Sequence, residues 1–185
     1  MVGNDLIDLN KATTESNWKR EGYLNKIFNH QEQEQIFNSP TPSIMVWLFW
    51  SMKEAAYKII NRESLQRFYS PKKFSCKNFS DQNETFGVVA FEDRTYYTKS
   101  VINDNLIHTI ASSKKENLAE IETYYLENTS CYLSDFNSKS DKYFLEKDEN
   151  GIPNLIDKTN NESHFASISH HGKYLAIIYS KAINA

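Results

Sequence analysis

Glycine, proline and cysteine are all scarce in this chain of 185 residues, which contains five, four and two of them respectively. The low glycine and proline content, together with 11 tyrosines and 11 phenylalanines, excludes a disordered or fibrous protein. The two cysteines, Cys76 and Cys131, lack the paired spacing of a zinc site, so we expect them to be reduced and structural. The chain is long enough to form one domain with a substantial core.

An excess of basic residues is also missing, because 21 Lys and Arg against 24 Asp and Glu give a net charge of −3. This balance argues against a nucleic-acid partner, and any attraction to an acidic partner must come from a local patch. No apolar run approaches the length of a membrane span, and the N-terminus lacks a basic segment followed by an apolar core. We therefore expect a cytoplasmic protein with no membrane contact.

The stretch after Pro42 predicts one long helix, over residues 43 to about 61. Its apolar residues recur at three- and four-residue spacing, which is typical of one buried helix face. On another face Glu54 and Lys58 lie one turn apart, with Lys53 beside them. An acid between two lysines can hold a hard cation while the lysines contact phosphate, although an ordinary surface ion pair has the same pattern.

The first nine residues predict a strand that carries a candidate acid. On a strand Asp5 shares a face with Ile7 and Leu9, so its carboxylate needs a cation, a lysine or several hydrogen-bond donors, unless it is exposed at the strand end. Asp8 should point away from Asp5, unless the strand ends or bulges between them.

Most of the remaining chain predicts short antiparallel strands separated by turns. Asn29 and Glu32 have the spacing of a capping box before another helix, and residues 11–23 are expected to be partly helical. Residues 120–133 suit either a helix or a strand. The predicted strands are 74–79, 84–91, 95–102, 106–112, 143–147, 152–156, 165–169 and 174–179, with turns at 81–83, 92–94, 103–105, 150–151 and 171–172.

Three motifs occur in a fixed order along the chain. They are Gly3-Asn4-Asp5-Leu6-Ile7-Asp8, then Trp50-Ser51-Met52-Lys53-Glu54-Ala55-Ala56-Tyr57-Lys58, then Asp148-Glu149-Asn150-Gly151-Ile152-Pro153 followed by Ser167-Ile168-Ser169-His170. This ordered set resembles the 4′-phosphopantetheinyl transferase superfamily. It is most similar to the short holo-acyl-carrier-protein synthase type, which has a Gly-x-Asp strand, a Lys-Glu-Ala-x-x-Lys helix, and Gly-x-Pro and Ser-x-Ser-His motifs.

The resemblance implies an α+β fold in which an antiparallel sheet packs against one long helix plus shorter helices. We expect a single domain over residues 1–185. The segment 79–139 has no counterpart in the short synthases, so it predicts a β-rich insertion.

The resemblance also implies a reaction, the transfer of the phosphopantetheine arm of coenzyme A to a serine of an acyl- or peptidyl-carrier protein, with release of 3′,5′-ADP. Asp5 and Glu54 would bind Mg²⁺, and Glu54 and Lys58 would be catalytic. The base that accepts the serine proton is left open between Glu54 and a metal-bound water. The coenzyme-binding residues implied are Lys53, Lys58, Gly151, Pro153, Ser169 and His170.

The chain departs from the family pattern at three positions. Ile152 stands where a basic residue is often found, and His171 stands where a small polar or acidic residue is more usual. Larger two-lobed members have a second acid at the position of Ile7, so a further acidic ligand would have to be Asp8 or be replaced by water.

The resemblance predicts partners as well. Carrier proteins are acidic around the acceptor serine, and Lys11, Lys19 and Arg20 are the candidate contacts for them. The short synthases form their site between protomers of a trimer, so a homotrimer is expected. Two alternatives stay open, a catalytically lapsed member that serves as a binding or scaffold module, and another metal-dependent phosphoryl enzyme.

Overall fold

The computed structural model describes residues 1–65, 70–81 and 84–181, and it contains two antiparallel sheets. The helices are α1 (Leu9–Glu15), α2 (Tyr23–Ile27), α3 (His30–Asn38), α4 (Pro42–Ser64) and α5 (Tyr132–Lys139), with short 3₁₀ segments at Pro71–Lys73 and Glu116–Glu120. The strands are β1 (Val2–Asp8), β2 (Phe74–Asp81), β3 (Glu84–Phe91), β4 (Arg94–Ile102), β5 (Leu106–Ser112), β6 (Ile121–Glu127), β7 (Tyr143–Lys147), β8 (Pro153–Asp157), β9 (Ser163–His171) and β10 (Tyr174–Ser180).

The first sheet has the strand order β1-β5-β4-β3-β2, and the long helix α4 packs across it. Proline at the first helical position suits the start of α4, because its missing N–H has no intrahelical partner there. The helix runs about one turn beyond the predicted end and stops where Leu65 adopts a left-handed conformation, with φ of 56°. Its apolar face, including Phe49, Met52 and Ile59, is fully buried, which confirms the predicted core helix.

The second sheet has the order β6-β10-β9-β8-β7 and forms a second core with α5. Strand β10 is buried along almost its whole length, as its continuous apolar run predicted. The α+β class with one long helix is confirmed, whereas the sequence pattern did not indicate that the strands divide between two sheets.

The segment predicted as an insertion is distributed over both sheets. Strands β3, β4 and β5 belong to the first sheet, and β6 belongs to the second. The ambiguous residues 120–133 contain the strand β6 and the start of α5. The turn predicted at 81–83 lies partly outside the described residues. No described helix is both long enough and apolar enough to cross a membrane.

The two sheets meet along the free edge of β1. One edge of β1 pairs with β5, while alternate N–H groups on the other edge donate to side chains of β9. Residues two apart on β9 point to the same face, so three of its polar side chains can follow β1 in register. The bonds run from Asn4 N to Ser167 Oγ at 3.1 Å, from Leu6 N to Ser169 Oγ at 2.9 Å, and from Asp8 N to His171 Nδ1 at 2.9 Å.

Candidate functional site

Asp5 lies in the middle of β1 and is the central acid of the site. Its side chain is 13 % exposed, and Ser169 Oγ donates to Asp5 Oδ1 at 3.1 Å. The other carboxylate oxygen, Oδ2, is buried and has no hydrogen-bond partner among the described residues. Burial raises the pKa of Asp5, and the nearby Lys58 opposes this shift. The structure therefore presents a desolvated carboxylate with one oxygen available to a further ligand.

Lys58 connects the long helix to both sheets beside this acid. Its Nζ donates to the backbone oxygens of Asn4 at 2.6 Å and Ile168 at 3.1 Å, and it lies 4.0 Å from Asp5 Oδ1. Burial lowers the pKa of Lys58, while the charges of Asp5 and Glu54 raise it. Lys58 is thus close enough to both predicted metal ligands, Asp5 and Glu54, for their charges to shift its pKa.

The residues present fit a Mg²⁺ ion that is completed by substrate. Asp5 offers an unpartnered oxygen, and Glu54 lies one helical turn before Lys58 and is partly exposed. Within the described ranges no group of three or more His, Cys, Asp or Glu could hold a metal ion. Mg²⁺ commonly takes one or two carboxylates and fills its remaining positions with phosphate oxygens and water, so two acids are sufficient.

A cleft on one side of this centre contains the predicted nucleotide-binding turn. Its lining includes Lys58, Arg62, Gly151, Pro153 and Ser167. Gly151 has a φ of 77°, a left-handed conformation that favours glycine, and the turn it forms leads directly into β8. Pro153 is the first residue of that strand, a position where its missing N–H is tolerated.

A second cleft opens on the side of Asp5. It is lined by Asp5, Tyr23, Trp47, Trp50 and His170, and it shares no lining residue with the first cleft. Partial desolvation and the charge of Lys58 lower the pKa of His170 below its ordinary value. Because Asp5 lines one cleft and the adjacent Lys58 lines the other, the two clefts adjoin at this ion pair.

Lys53 does not lie in this site, and the prediction that it binds the coenzyme is corrected. Its side chain is completely buried, with Nζ 2.7 Å from Glu32 Oε2. The backbone oxygens of Ile27, Pro71 and Phe74 also lie 2.9, 3.0 and 3.0 Å from Nζ, so the three N–H groups of the ammonium are shared among four acceptors. Glu32 is the acid of the predicted capping box, which the structure confirms at the start of α3.

Asp8 has a local structural role. Its carboxylate accepts from Lys11 N at 3.1 Å, so Asp8 caps the N-terminus of α1. A Cβ atom on Gly172, which has a φ of 57°, would come within 2.2 Å of Asp8 Oδ2. The carboxylate is therefore held between helix α1 and the β9–β10 turn.

The three predicted carrier contacts are exposed near α1 and α2. Lys11 pairs with Glu15 at 2.7 Å, while Lys19 and Arg20 lie in the loop before α2. The ammonium of Lys19 is 5.5 Å from the Trp18 ring centroid. Lys19 and Arg20 also line a surface groove that includes the exposed Phe37.

Sequence reasoning missed two residues that help to build the site. Arg62 follows Lys58 by one turn on α4 and donates hydrogen bonds to strands β8 and β9. Ser51 Oγ donates to the backbone oxygen of Asp5 at 3.3 Å. The four-residue spacing from Glu54 through Lys58 extends to Arg62 and could have indicated it.

The site brings the first and third motifs into contact within one chain, through the β1–β9 hydrogen bonds and Lys58. In the short synthases these parts come from neighbouring protomers. A trimer is not needed here to bring them together, and the oligomeric state stays a prediction.

Comparison with known families agrees with this geometry. A family model described as the 4′-phosphopantetheinyl transferase superfamily matches residues 1–111, which is more than half of the chain. The matched part contains Asp5, Glu54 and Lys58, whereas Gly151 and Ser169 lie beyond it. Comparison with curated proteins returns no match. The chain therefore belongs to the 4′-phosphopantetheinyl transferase superfamily.

Proposed function

We propose that this protein is a Mg²⁺-dependent transferase of the holo-acyl-carrier-protein synthase type. It moves the 4′-phosphopantetheine arm of coenzyme A to a serine of an acyl- or peptidyl-carrier protein and releases 3′,5′-ADP. The observation that carries the proposal is the buried Asp5 carboxylate, with its unpartnered Oδ2, held beside Lys58 and Ser169.

The reaction is a displacement at phosphorus. The serine oxygen forms a bond to the phosphorus atom that carries pantetheine, and the bond from that phosphorus to the bridging oxygen of 3′,5′-ADP breaks. Negative charge develops on the phosphate and bridging oxygens, so positive groups held in place before reaction are the natural catalysts. Asp5 and Glu54 would hold Mg²⁺, which neutralises part of this charge when it is bound.

Lys58 has one donor available for this task. An ammonium has three N–H groups, and two of them are used on the backbone oxygens of Asn4 and Ile168. These bonds fix the ammonium next to Asp5, so the third N–H can donate to a phosphate oxygen. We assign Lys58 the role of stabilising the charge of the leaving 3′,5′-ADP.

The remaining predicted contacts lie around the two clefts and at the surface near α1 and α2. The backbone of the Gly151–Pro153 turn would line the nucleotide, and Ser169 and His170 would contact its phosphates. The serine proton passes to Glu54 or to a water molecule, and both bases remain part of the proposal. Lys11, Lys19 and Arg20 would receive the acidic surface of the carrier protein.

The test is the intact mass of a purified carrier protein after incubation with the enzyme, coenzyme A and Mg²⁺. We expect the mass to increase by one phosphopantetheine, and a carrier with alanine in place of its acceptor serine to stay unchanged. An unmodified carrier, with coenzyme A bound and intact, would favour the scaffold alternative. Cleavage of coenzyme A without modification of the carrier would favour another phosphoryl enzyme.

A further inference from the structure

Arg62 lies one helical turn after Lys58 and joins α4 to the second sheet. Its Nη1 donates to Asn154 Oδ1 at 3.0 Å, and its Nη2 donates to the backbone oxygens of Ala166, at 2.7 Å, and Pro153. The guanidinium carbon is also 4.9 Å from the ring centroid of Phe165. Every one of these partners belongs to β8 or β9.

The two backbone acceptors lie where the β8–β9 ladder ends. The last pair towards the turn is Asn154 with Phe165, so Pro153 and Ala166 are the next residues on the two strands. Proline has no N–H and cannot continue the ladder to the oxygen of Ala166. The oxygen of Ala166 therefore lacks its ladder donor, and Arg62 supplies one while also donating to the oxygen of Pro153.

This end of the ladder adjoins the predicted nucleotide cleft. Pro153 directly follows the turn that contains Gly151, and both residues line the same cleft as Lys58 and Arg62. Arg62 therefore sets the position of the turn relative to the helix that carries Lys58. The Arg62 hydrogen bonds span the cleft. They join helix α4 to the end of the β8–β9 ladder, and no backbone ladder connects these two elements there.

We propose that Arg62 is a positioning residue: its guanidinium replaces the missing Pro153 N–H at the end of the β8–β9 ladder and thereby holds the Gly151–Pro153 turn against helix α4. The identity of the bound nucleotide rests on the proposed function, whereas the holding of the turn does not. A lysine cannot replace Arg62, because a single ammonium does not reproduce the planar fork that reaches two strands at once.

The first measurement is amide hydrogen exchange in Arg62→Gln and Arg62→Lys. We expect exchange over residues 148–156 to become at least about tenfold faster in both variants, because opening of the turn no longer breaks the Arg62 bonds. Exchange in β1 and α4 should stay unchanged, which shows that the variants are folded. Glu63→Gln is the matched control, since Glu63 is the next residue on α4 and pairs with the exposed Arg94 at 2.6 Å.

The second measurement separates positioning from a direct phosphate contact. Binding of ADP and of 3′,5′-ADP is compared in the wild type and in both Arg62 variants. A displaced turn should weaken both nucleotides by a similar factor, of about tenfold, and KM for coenzyme A should rise while KM for the carrier does not.

Three results would overturn the proposal. They are unchanged exchange over 148–156, full rescue by lysine, and a loss of affinity confined to 3′,5′-ADP. The exchange result is independent of catalysis. If the wild type fails to modify a carrier but the exchange pattern is found, the transferase proposal fails and the role of Arg62 in holding the turn stands.

Discussion

At the scale of single residues, the site depends on the ionisation of one buried acid. Burial raises the pKa of Asp5 above its ordinary value, so folding without metal shifts this carboxyl towards its neutral form. A raised pKa makes the ionisation of this acid destabilising. As pH rises from the ordinary pKa through the raised pKa, the ionisation of Asp5 lowers the free energy of unfolding. A divalent cation bound at Asp5 would reverse this effect, because it would favour the ionised form.

The first prediction concerns Asp5→Asn. Mg²⁺ binding, measured by the shift in thermal unfolding, should strengthen in the wild type as pH rises through the raised pKa of Asp5 and then level off. In Asp5→Asn this pH dependence should disappear, while stability without metal should not fall at a pH above the raised pKa of Asp5, because a desolvated charge is removed there.

The kinetics of the same variant provide the control. Asp5→Asn and Glu54→Gln should each lower kcat by on the order of 10²-fold, and the double variant should be little worse because both acids act through one ion. Asp8→Asn should keep activity and lose at most about 1 kcal/mol of stability, because it weakens only a helix cap. A large loss of activity in Asp8→Asn with Asp5→Asn near wild type would reverse the assignment.

At the scale of elements, the polar side chains at every second position of strand β9 have two roles. Ser167, Ser169 and His171 satisfy the free edge of β1, and Ser169 in addition donates to the carboxylate of Asp5. Removing either serine hydroxyl leaves a β1 N–H without its partner, which costs about 1–3 kcal/mol for a buried group.

The second prediction separates these tasks with a matched pair. Ser167→Ala and Ser169→Ala should lower the free energy of unfolding by similar amounts, as measured by urea denaturation. Only Ser169→Ala should also lower kcat clearly more than its stability loss explains, because it removes a hydrogen bond to the proposed metal ligand. Equal kcat values for the two variants would mean that Ser169 serves only the β1 edge.

The third prediction concerns the exposed loop before α2. Lys19→Glu combined with Arg20→Glu should raise KM for an acidic carrier and flatten its dependence on salt, with KM for coenzyme A unchanged. Attraction between opposite surface charges guides the carrier to the enzyme, and salt screens that attraction. Lys72→Glu combined with Lys77→Glu, at two exposed positions in and after the Pro71–Lys73 segment, is the charge-matched control. Carrier kinetics that match this control would remove the loop from the proposed interface.

The elements show how much of this structure could be predicted from the sequence. Helix α4 and most strands follow from local periodicity, which depends on neighbouring residues alone. Lys53 and Lys58 both flank Glu54, and local spacing does not reveal that the distant Glu32 takes Lys53 into the core. The division of the strands between two sheets depends on non-local pairing, which a local pattern does not specify.

At the scale of the whole molecule, we propose that one chain assembles the complete transferase site. Strand β1 and the helix α4 supply Asp5, Glu54 and Lys58, and strand β9 of the same chain supplies Ser169 and His170. The β1–β9 hydrogen bonds and Lys58 join the two parts without a second protomer. This arrangement predicts that the defects of two different inactive chains do not complement one another.

The most direct test is a mixing experiment read by the intact mass of the carrier protein. Asp5→Asn should lose most of its activity through the first part of the site, and Ser169→Ala combined with His170→Ala should do so through the second. The two variants are refolded together, so that any oligomer contains both chains. A site within one chain predicts complete conversion of the carrier by the wild type and no conversion above that of either variant by the mixture. Conversion by the mixture at a substantial fraction of the wild-type rate would show that sites form between chains and would contradict a site within one chain.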